Sequence, residues 1–190
     1  MKKTAIALVV VSTTLFTAVN AQANTYVGVG VSSLNFEENS TNFGSSTVAG
    51  LFLGYELHPN FALEGLVATS VTEAKYKESD PEFNFSATQK TSVNNAFGLY
   101  GVGKVNVVDS FEVYGKLGFT RVNIKIKYRG MDDFGSFSSS GSATETSVSY
   151  GVGANYFFSD TVGLRTEFMR YYDKDSVTIS GFGGGVLVKF

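Results

Sequence analysis

The stretch GLYGVGKV, Gly98 to Val105, decides how the chain is read. Glycine, four residues, glycine and lysine nearly spell a phosphate-cradling loop, but that loop needs Ser or Thr after the lysine, with a strand before it and a helix behind. Here the position holds Val105, and the residues alternate: Phe97, Leu99 and Val105 on one side of a period of two, Tyr100, Val102 and Lys104 on the other. That is the pattern of a continuous strand. The question becomes why a strand aims a lysine from its more polar face and sets glycines into both.

The first residues, MKKTAIALVVVSTTLFTAVNAQA, carry two lysines, an apolar run from Ala5 and the small-residue pattern Ala21, Gln22, Ala23. This is the form of a secretory signal peptide, and it predicts removal of residues 1–23 to leave one domain, residues 24–190. Without Lys2 and Lys3 the remaining chain has 13 basic residues against 17 acidic ones, so nucleic acid is not an expected partner. With no cysteine, neither disulfides nor a thiolate metal site can hold an exported chain of this kind. After the leader no apolar run approaches the roughly 20 residues of a spanning helix. If the protein enters a membrane, it does so as strands.

Eight segments alternate. The first sets Val27, Val29 and Val31 against Gly28, Gly30 and Ser32, and the second sets Leu51, Leu53 and Tyr55 against Phe52, Gly54 and Glu56. The third, from Phe61, sets Leu63, Val67 and Val71 against Glu64, Ala68 and Ser70; the fourth is the quoted stretch with its flanks. The fifth opposes Val113, Leu117 and Phe119 to Glu112, Lys116 and Gly118. In the sixth, Val148, Tyr150, Val152, Ala154 and Tyr156 oppose Ser149, Gly151, Gly153 and Asn155. Leu164 and Phe168 oppose Arg165 and Glu167 in the seventh, and the eighth runs Phe182, Gly184, Val186, Val188, Phe190. Tight connections at His58 to Asn60, Val107 to Ser110 and Ser159 to Thr161 alternate with long polar ones near Phe36 to Ser46, Thr72 to Thr91 and Gly130 to Thr144. The connection around Tyr172 to Ser176 is compact. Tight turns at one end and long loops at the other fit an all-β, eight-stranded antiparallel up-and-down transmembrane barrel.

A soluble ligand-holding barrel shares the alternation. Two features favour the membrane. Aromatics toward strand ends of the apolar face (Tyr55, Phe61, Tyr156, Tyr172, Phe182, Phe190) suit the bilayer interface. The opposite face combines glycine and serine with Glu64, Lys104, Lys116, Arg165 and Glu167, charges of both signs that would neutralise one another in a narrow lumen. Lys104 is therefore expected to point inward to Glu64 or Glu167, with small residues making room.

GYELHPNFALEG (Gly54 to Gly65), GKVNVVDSFEVYGKLG (Gly103 to Gly118), LRTEF (Leu164 to Phe168), the opening MKKTAIA and the final Phe190 resemble the small eight-stranded outer-membrane barrels of the outer membrane protein A type. The resemblance covers the whole chain after the leader. It implies the outer membrane of a Gram-negative bacterium, lipid and lipopolysaccharide as surroundings, and a terminal aromatic, Phe190, read by the barrel-assembly machinery. It also implies an interior cluster whose acid, lysine and arginine fall on Glu64, Lys104 and Arg165, while a second acid falls on Asn155. The peptidoglycan-binding domain that follows the barrel in the full-length relative is not expected here.

The resemblance further implies a monomer serving envelope integrity and surface interaction, with a low-conductance pore as the alternative and a lipid A-modifying barrel enzyme as the next. Catalysis is not expected. Serine hydrolysis needs a histidine beside the nucleophile, and the single histidine, His58, lies at the tight-turn end. Asp132, Asp133 and Glu145 lack calcium-loop spacing, so no metal or other cofactor is expected. Lys125, Lys127 and Arg129 share one face of an extended strand, with Arg121 below and Arg170 on another strand. They are candidates for contact with lipopolysaccharide phosphates or another polyanion. The serine-rich stretch from Gly135 to Thr146 offers a contact surface for an extracellular ligand.

Overall fold

The computed structural model describes residues 24–39, 41–80, 85–132, 135–174 and 177–190, so the expected leader lies outside it. The strands are β1 (Thr25–Glu38), β2 (Thr41–His58), β3 (Phe61–Ser70), β4 (Ala74–Asp80), β5 (Phe85–Val108), β6 (Phe111–Asp132), β7 (Gly135–Phe157), β8 (Val162–Lys174) and β9 (Val177–Lys189). Sequential strands pair antiparallel except β3 and β4, β1 pairs with β9, and β3 pairs with β5. β4 pairs only with β5, so the other eight strands close into a ring.

Alternation sets the two faces. Leu51, Leu53, Leu63, Val67, Leu99, Leu117, Phe119, Val152, Leu164 and Phe182 are exposed on the outside, while Tyr26, Phe52, Tyr100, Val102, Tyr114 and Leu187 are buried within. A continuous exposed apolar belt on a closed ring is stable only against lipid.

Glycines on the inner face sit opposite large side chains. The ladders pair Tyr26 with Gly54, Phe52 with Gly28, Tyr100 with Gly118 and Tyr114 with Gly153. A Cβ on Gly54 would overlap the Tyr26 ring, and one on Gly28 the Phe52 ring. The small residues therefore make room for rings lying flat across the neighbouring strand.

Most of the described residues in the three stretches expected as long loops belong to strand extensions instead. β1 and β2 stay paired to Glu38 and Thr41, where Asn39 turns the chain at φ 49°. β4 and β5 pair from Ala74 against Thr91 to Asp80 against Phe85, and β6 and β7 pair up to Asp132 and Gly135. Each polar strand is held by a ladder to its neighbour, which composition alone does not reveal.

Between β3 and β4 the wall is interrupted at residues 71–73. Side chains take over the ladder there: the Thr47 amide donates to Thr72 Oγ1 at 2.8 Å and the Val93 amide to Ser70 Oγ at 2.7 Å. On β5 a register shift between Val93 and Asn95 lies at the same height. At the opposite side β7 pairs with β8 only up to Tyr150 and Arg170. Above the ring, the wall is thus two leaves, one of β2, β1, β9 and β8 and one of β4, β5, β6 and β7. Tyr171 continues the inward row of Arg165, Glu167 and Met169, and a register shift between Arg170 and Tyr172 sets Tyr172 opposite buried Ile179 and packs it against the core, so Tyr172 is not the outward aromatic expected.

Candidate functional site

The inner residues of the strand ends nearest the tight turns form the lowest layer. Lys104 Nζ lies 2.5 Å from Glu56 Oε1 and 3.2 Å from Glu112 Oε2. Lys189 Nζ stands 3.7 Å and 3.8 Å from the same two carboxylates and 4.1 Å from the centre of the Phe157 ring.

Several residues higher, Glu64 is the hub. It accepts from Lys116 Nζ at 2.6 Å, Arg165 Nη1 at 2.6 Å and the Tyr26 hydroxyl at 2.8 Å. Lys116 also meets Glu167 at 2.6 Å, and Tyr114 donates to Glu167 at 2.9 Å. The Arg165 guanidinium is stacked among Phe52, Tyr114 and Tyr26, 4.2, 4.8 and 5.4 Å from their centres. Above this, the hydroxyls of Tyr100 and Thr120 are 2.7 Å apart, and the Ser149 hydroxyl lies 2.8 Å from that of Thr120 and donates to the Tyr171 carbonyl at 2.8 Å.

Asn155 joins the lower two layers. Its Nδ2 donates to Glu112 at 2.6 Å, and its Oδ1 accepts from Arg165 Nε at 3.0 Å. A neutral amide both donates and accepts, so this position transmits hydrogen bonding where a carboxylate could only accept. Among the described residues no buried side-chain nitrogen or oxygen lacks a partner. A cavity of about 40 Å³ lies beside Arg165, Glu167 and Tyr171, room for about one water, and a hollow of about 240 Å³ opens at the turn end beside Glu56, Lys104, Glu112 and Lys189.

The structure brings Glu64, Lys116, Arg165 and Glu167 together and places Lys104 in the lower layer, with Glu56 and Glu112. The β3–β5 register sets Glu64 opposite Tyr100, four residues and about 13 Å along the strand from Lys104, beyond a lysine's reach. Glu112 instead is a diagonal neighbour, because Tyr114 faces Lys104 and Asn106 faces Glu112. Sequence reasoning placed Glu56 and Glu112 on the right face without assigning them to the network. Their position beside the turns, level with Lys104, was the available signal.

On the outside, Arg121, Lys125, Lys127 and Arg129 share the face of β6 that carries Leu117 and Phe119. Arg170 stands apart, in the row of Tyr150 and Leu117, with Asp173 at 2.9 Å. Register adds three cations from neighbouring strands: Lys75 faces Lys90, Lys90 faces Lys127, and Lys77 lies in the row of Thr88 and Arg129. The side chains of Asp132 and Asp133 lie outside the described residues, and Glu145 is exposed in the row of Val122. His58 occupies the β2–β3 turn, where its Nδ1 accepts from the Asn60 amide at 3.3 Å. The Phe190 amide donates to the Thr25 carbonyl at 2.9 Å, and its ring borders an outward hollow with Val27, Leu53 and Val188.

Residues 4–190 match the model of the outer membrane protein beta-barrel domain. The chain belongs to that family. Solved structures of this barrel family share the fold at low identity. Ail, the attachment invasion locus protein of Yersinia pestis, is 15% identical with a TM-score of 0.60, over 89% of this chain and 99% of that one. Neisserial surface protein A is 13% identical with a TM-score of 0.56, over 87% and 97%. The N-terminal barrel domain of Pseudomonas aeruginosa OprF is 15% identical with a TM-score of 0.51, over 86% and 97%. No curated protein sequence matches the chain closely enough to count as a relative. As a member of the outer-membrane barrel family, the protein resides in the outer membrane of a Gram-negative bacterium, and its exposed apolar belt faces lipid.

Proposed function

We propose that this outer-membrane barrel is a monomeric, non-conducting scaffold that supports the envelope and offers its long hairpins for contact at the cell surface. The observation that carries the reading is the filled interior: two ion-pair layers joined by Asn155, with a hydroxyl layer above them. An eight-stranded ring is just wide enough for side chains to fill. The tight turns then face the periplasm and the hairpins the exterior, the usual arrangement of such barrels. Phe190, closing the last strand beside Thr25, is the feature that assembly machinery would read.

The deciding experiment is a planar-bilayer recording on purified, refolded protein. Silence is expected. A steady ion current would overturn the scaffold reading in favour of the low-conductance pore.

The surface contact is with polyanions. Arg121, Lys125, Lys127 and Arg129 on one outward face support this reading, and a structure of Ail contains the heparin analogue sucrose octasulfate. Arg170, held by Asp173 on another strand, is set aside from that group.

A further inference from the structure

Three lysines stand abreast above the apolar belt. The ladders place Lys75 of β4, Lys90 of β5 and Lys127 of β6 in one cross-strand row, with Lys77 and Arg129 in the row above and Lys125 in the row below. Like charges directly opposed weaken a sheet, so this row costs stability in the free protein. Among the described residues, Glu73 is the carboxylate that meets it, 3.0 Å from Lys127 Nζ and 3.6 Å from Lys90 Nζ. Among the described residues, one acid meets this group of six cations. Beside them, the β7 residues in the rows of Lys125, Lys127 and Arg129 are Ser142, Ser140 and Ser138, hydroxyls that hydrogen-bond without adding charge.

The same face of β6 runs down through Arg121 to Phe119 and Leu117, both exposed in the lipid belt. Phe119 and Lys125 are six residues apart, about 20 Å along the strand. A molecule that spans this face must be apolar below and anionic above.

We propose that the outward face of β4, β5 and β6 binds the phosphorylated saccharide headgroup of an outer-leaflet glycolipid, with Lys75, Lys90 and Lys127 gripping its phosphates and its acyl chains lying against Phe119 and Leu117. This rests on the hairpins facing the exterior, as inferred above, and it names the polyanion. A planar guanidinium or an ammonium row binds phosphate oxygens directly. Continuity with the belt favours a lipid over a soluble polysaccharide.

The test is heat unfolding of the refolded protein in phosphatidylcholine vesicles, with and without lipopolysaccharide. The wild type is compared with K75Q/K90Q/K127Q and with R170Q, a cation outside the row. Lipopolysaccharide should raise the unfolding temperature of the wild type and R170Q, because a ligand that binds only the folded state stabilises it. The triple variant should lose most of that rise, with apparent affinity at least tenfold weaker. In phosphatidylcholine alone it should unfold no earlier than the wild type, the opposite of a merely structural role.

Should the triple variant fail to refold, K127Q carries the same comparison. An equal rise in the row variant, or an equal effect of dephosphorylated lipid A, would overturn the assignment. Heparin fragments acting where lipopolysaccharide does not would likewise overturn it, in favour of a soluble partner. Labelling of Ser139→Cys on intact cells by an impermeant maleimide tests the orientation separately; no labelling would sink the outward placement of the hairpins while leaving the vesicle result standing.

Discussion

Lys104 and Lys116 share an inner face of the ring, yet they hold different carboxylates, and the difference is measurable. Breaking a buried ion pair by removing one partner costs about 3 to 5 kcal/mol. In urea unfolding from vesicles, Lys104→Met and Glu112→Gln should therefore be strongly coupled in a double-mutant cycle, whereas Lys104→Met and Glu64→Gln should add. Additivity of the first pair would refute the lower layer. Overpacking gives a second outcome at this scale: Gly54→Ala forces the Tyr26 ring off Gly54 and should cost about 1 to 3 kcal/mol, while Gly141→Ala, with open space around it, should cost far less.

Glu73 gives a third outcome. Its carboxyl is held below the usual carboxylate range, first by the hydrogen bond from Lys127 and further by the charges of Lys127 and Lys90. It therefore stays ionised through neutral and mildly acidic pH and subtracts from the row until the pH falls below that range. Glu73→Gln should tighten lipopolysaccharide binding at pH 7, and weaker binding would contradict the proposal. Which face each of these residues occupies was legible from a period of two. Which carboxylate each lysine meets was not, because that depends on the stagger between strands that no single strand records.

At the scale of elements, the hairpins show where composition misleads. Gly135 to Thr146 is rich in serine, reads as a loop, and is nevertheless strand, because β6 supplies it with a continuous partner whose Val122, Ile124 and Ile126 alternate with charged and polar residues. The interruption at residues 71–73 was illegible for a related reason: Val71 continues the alternation, and the competing bonds come from Thr47, 24 residues earlier in the chain, through the Val71 amide to its carbonyl at 2.7 Å. Above Tyr150, β7 has lost its β8 partner, so the upper β6–β7 hairpin should be removable. Replacing residues 129–138 with an Asn-Gly turn should leave stability within about 0.5 kcal/mol, read as an unchanged unfolding midpoint. A large loss would mean that the two leaves support one another. Deleting Phe190, by contrast, should lower the folded yield far more than deleting Ser139.

At the scale of the whole molecule, the ring is legible in the sequence: eight alternating segments and an alternation of tight and long connections suffice for an up-and-down barrel. Because two ion-pair layers stack in the lumen, disrupting one should not open a path. Lys104→Met should stay silent in planar bilayers, and current from that variant would place the barrier in the lower layer alone.

The seam that shuts the ring joins its first and last strands, Tyr26 against Lys189 through Glu38 against Val177. Much of it is nearly bare of side chains, since Gly30 meets Gly185, Val31 meets Gly184 and Ser32 meets Gly183. These partners are about as far apart in the chain as two strands here can be. Until the last strand arrives, β1 presents unmet amides and carbonyls that a bilayer cannot satisfy. A chain truncated before residue 177 has no means of hiding that edge, so interrupted synthesis should yield no half-built barrels in the membrane, only material left for proteases.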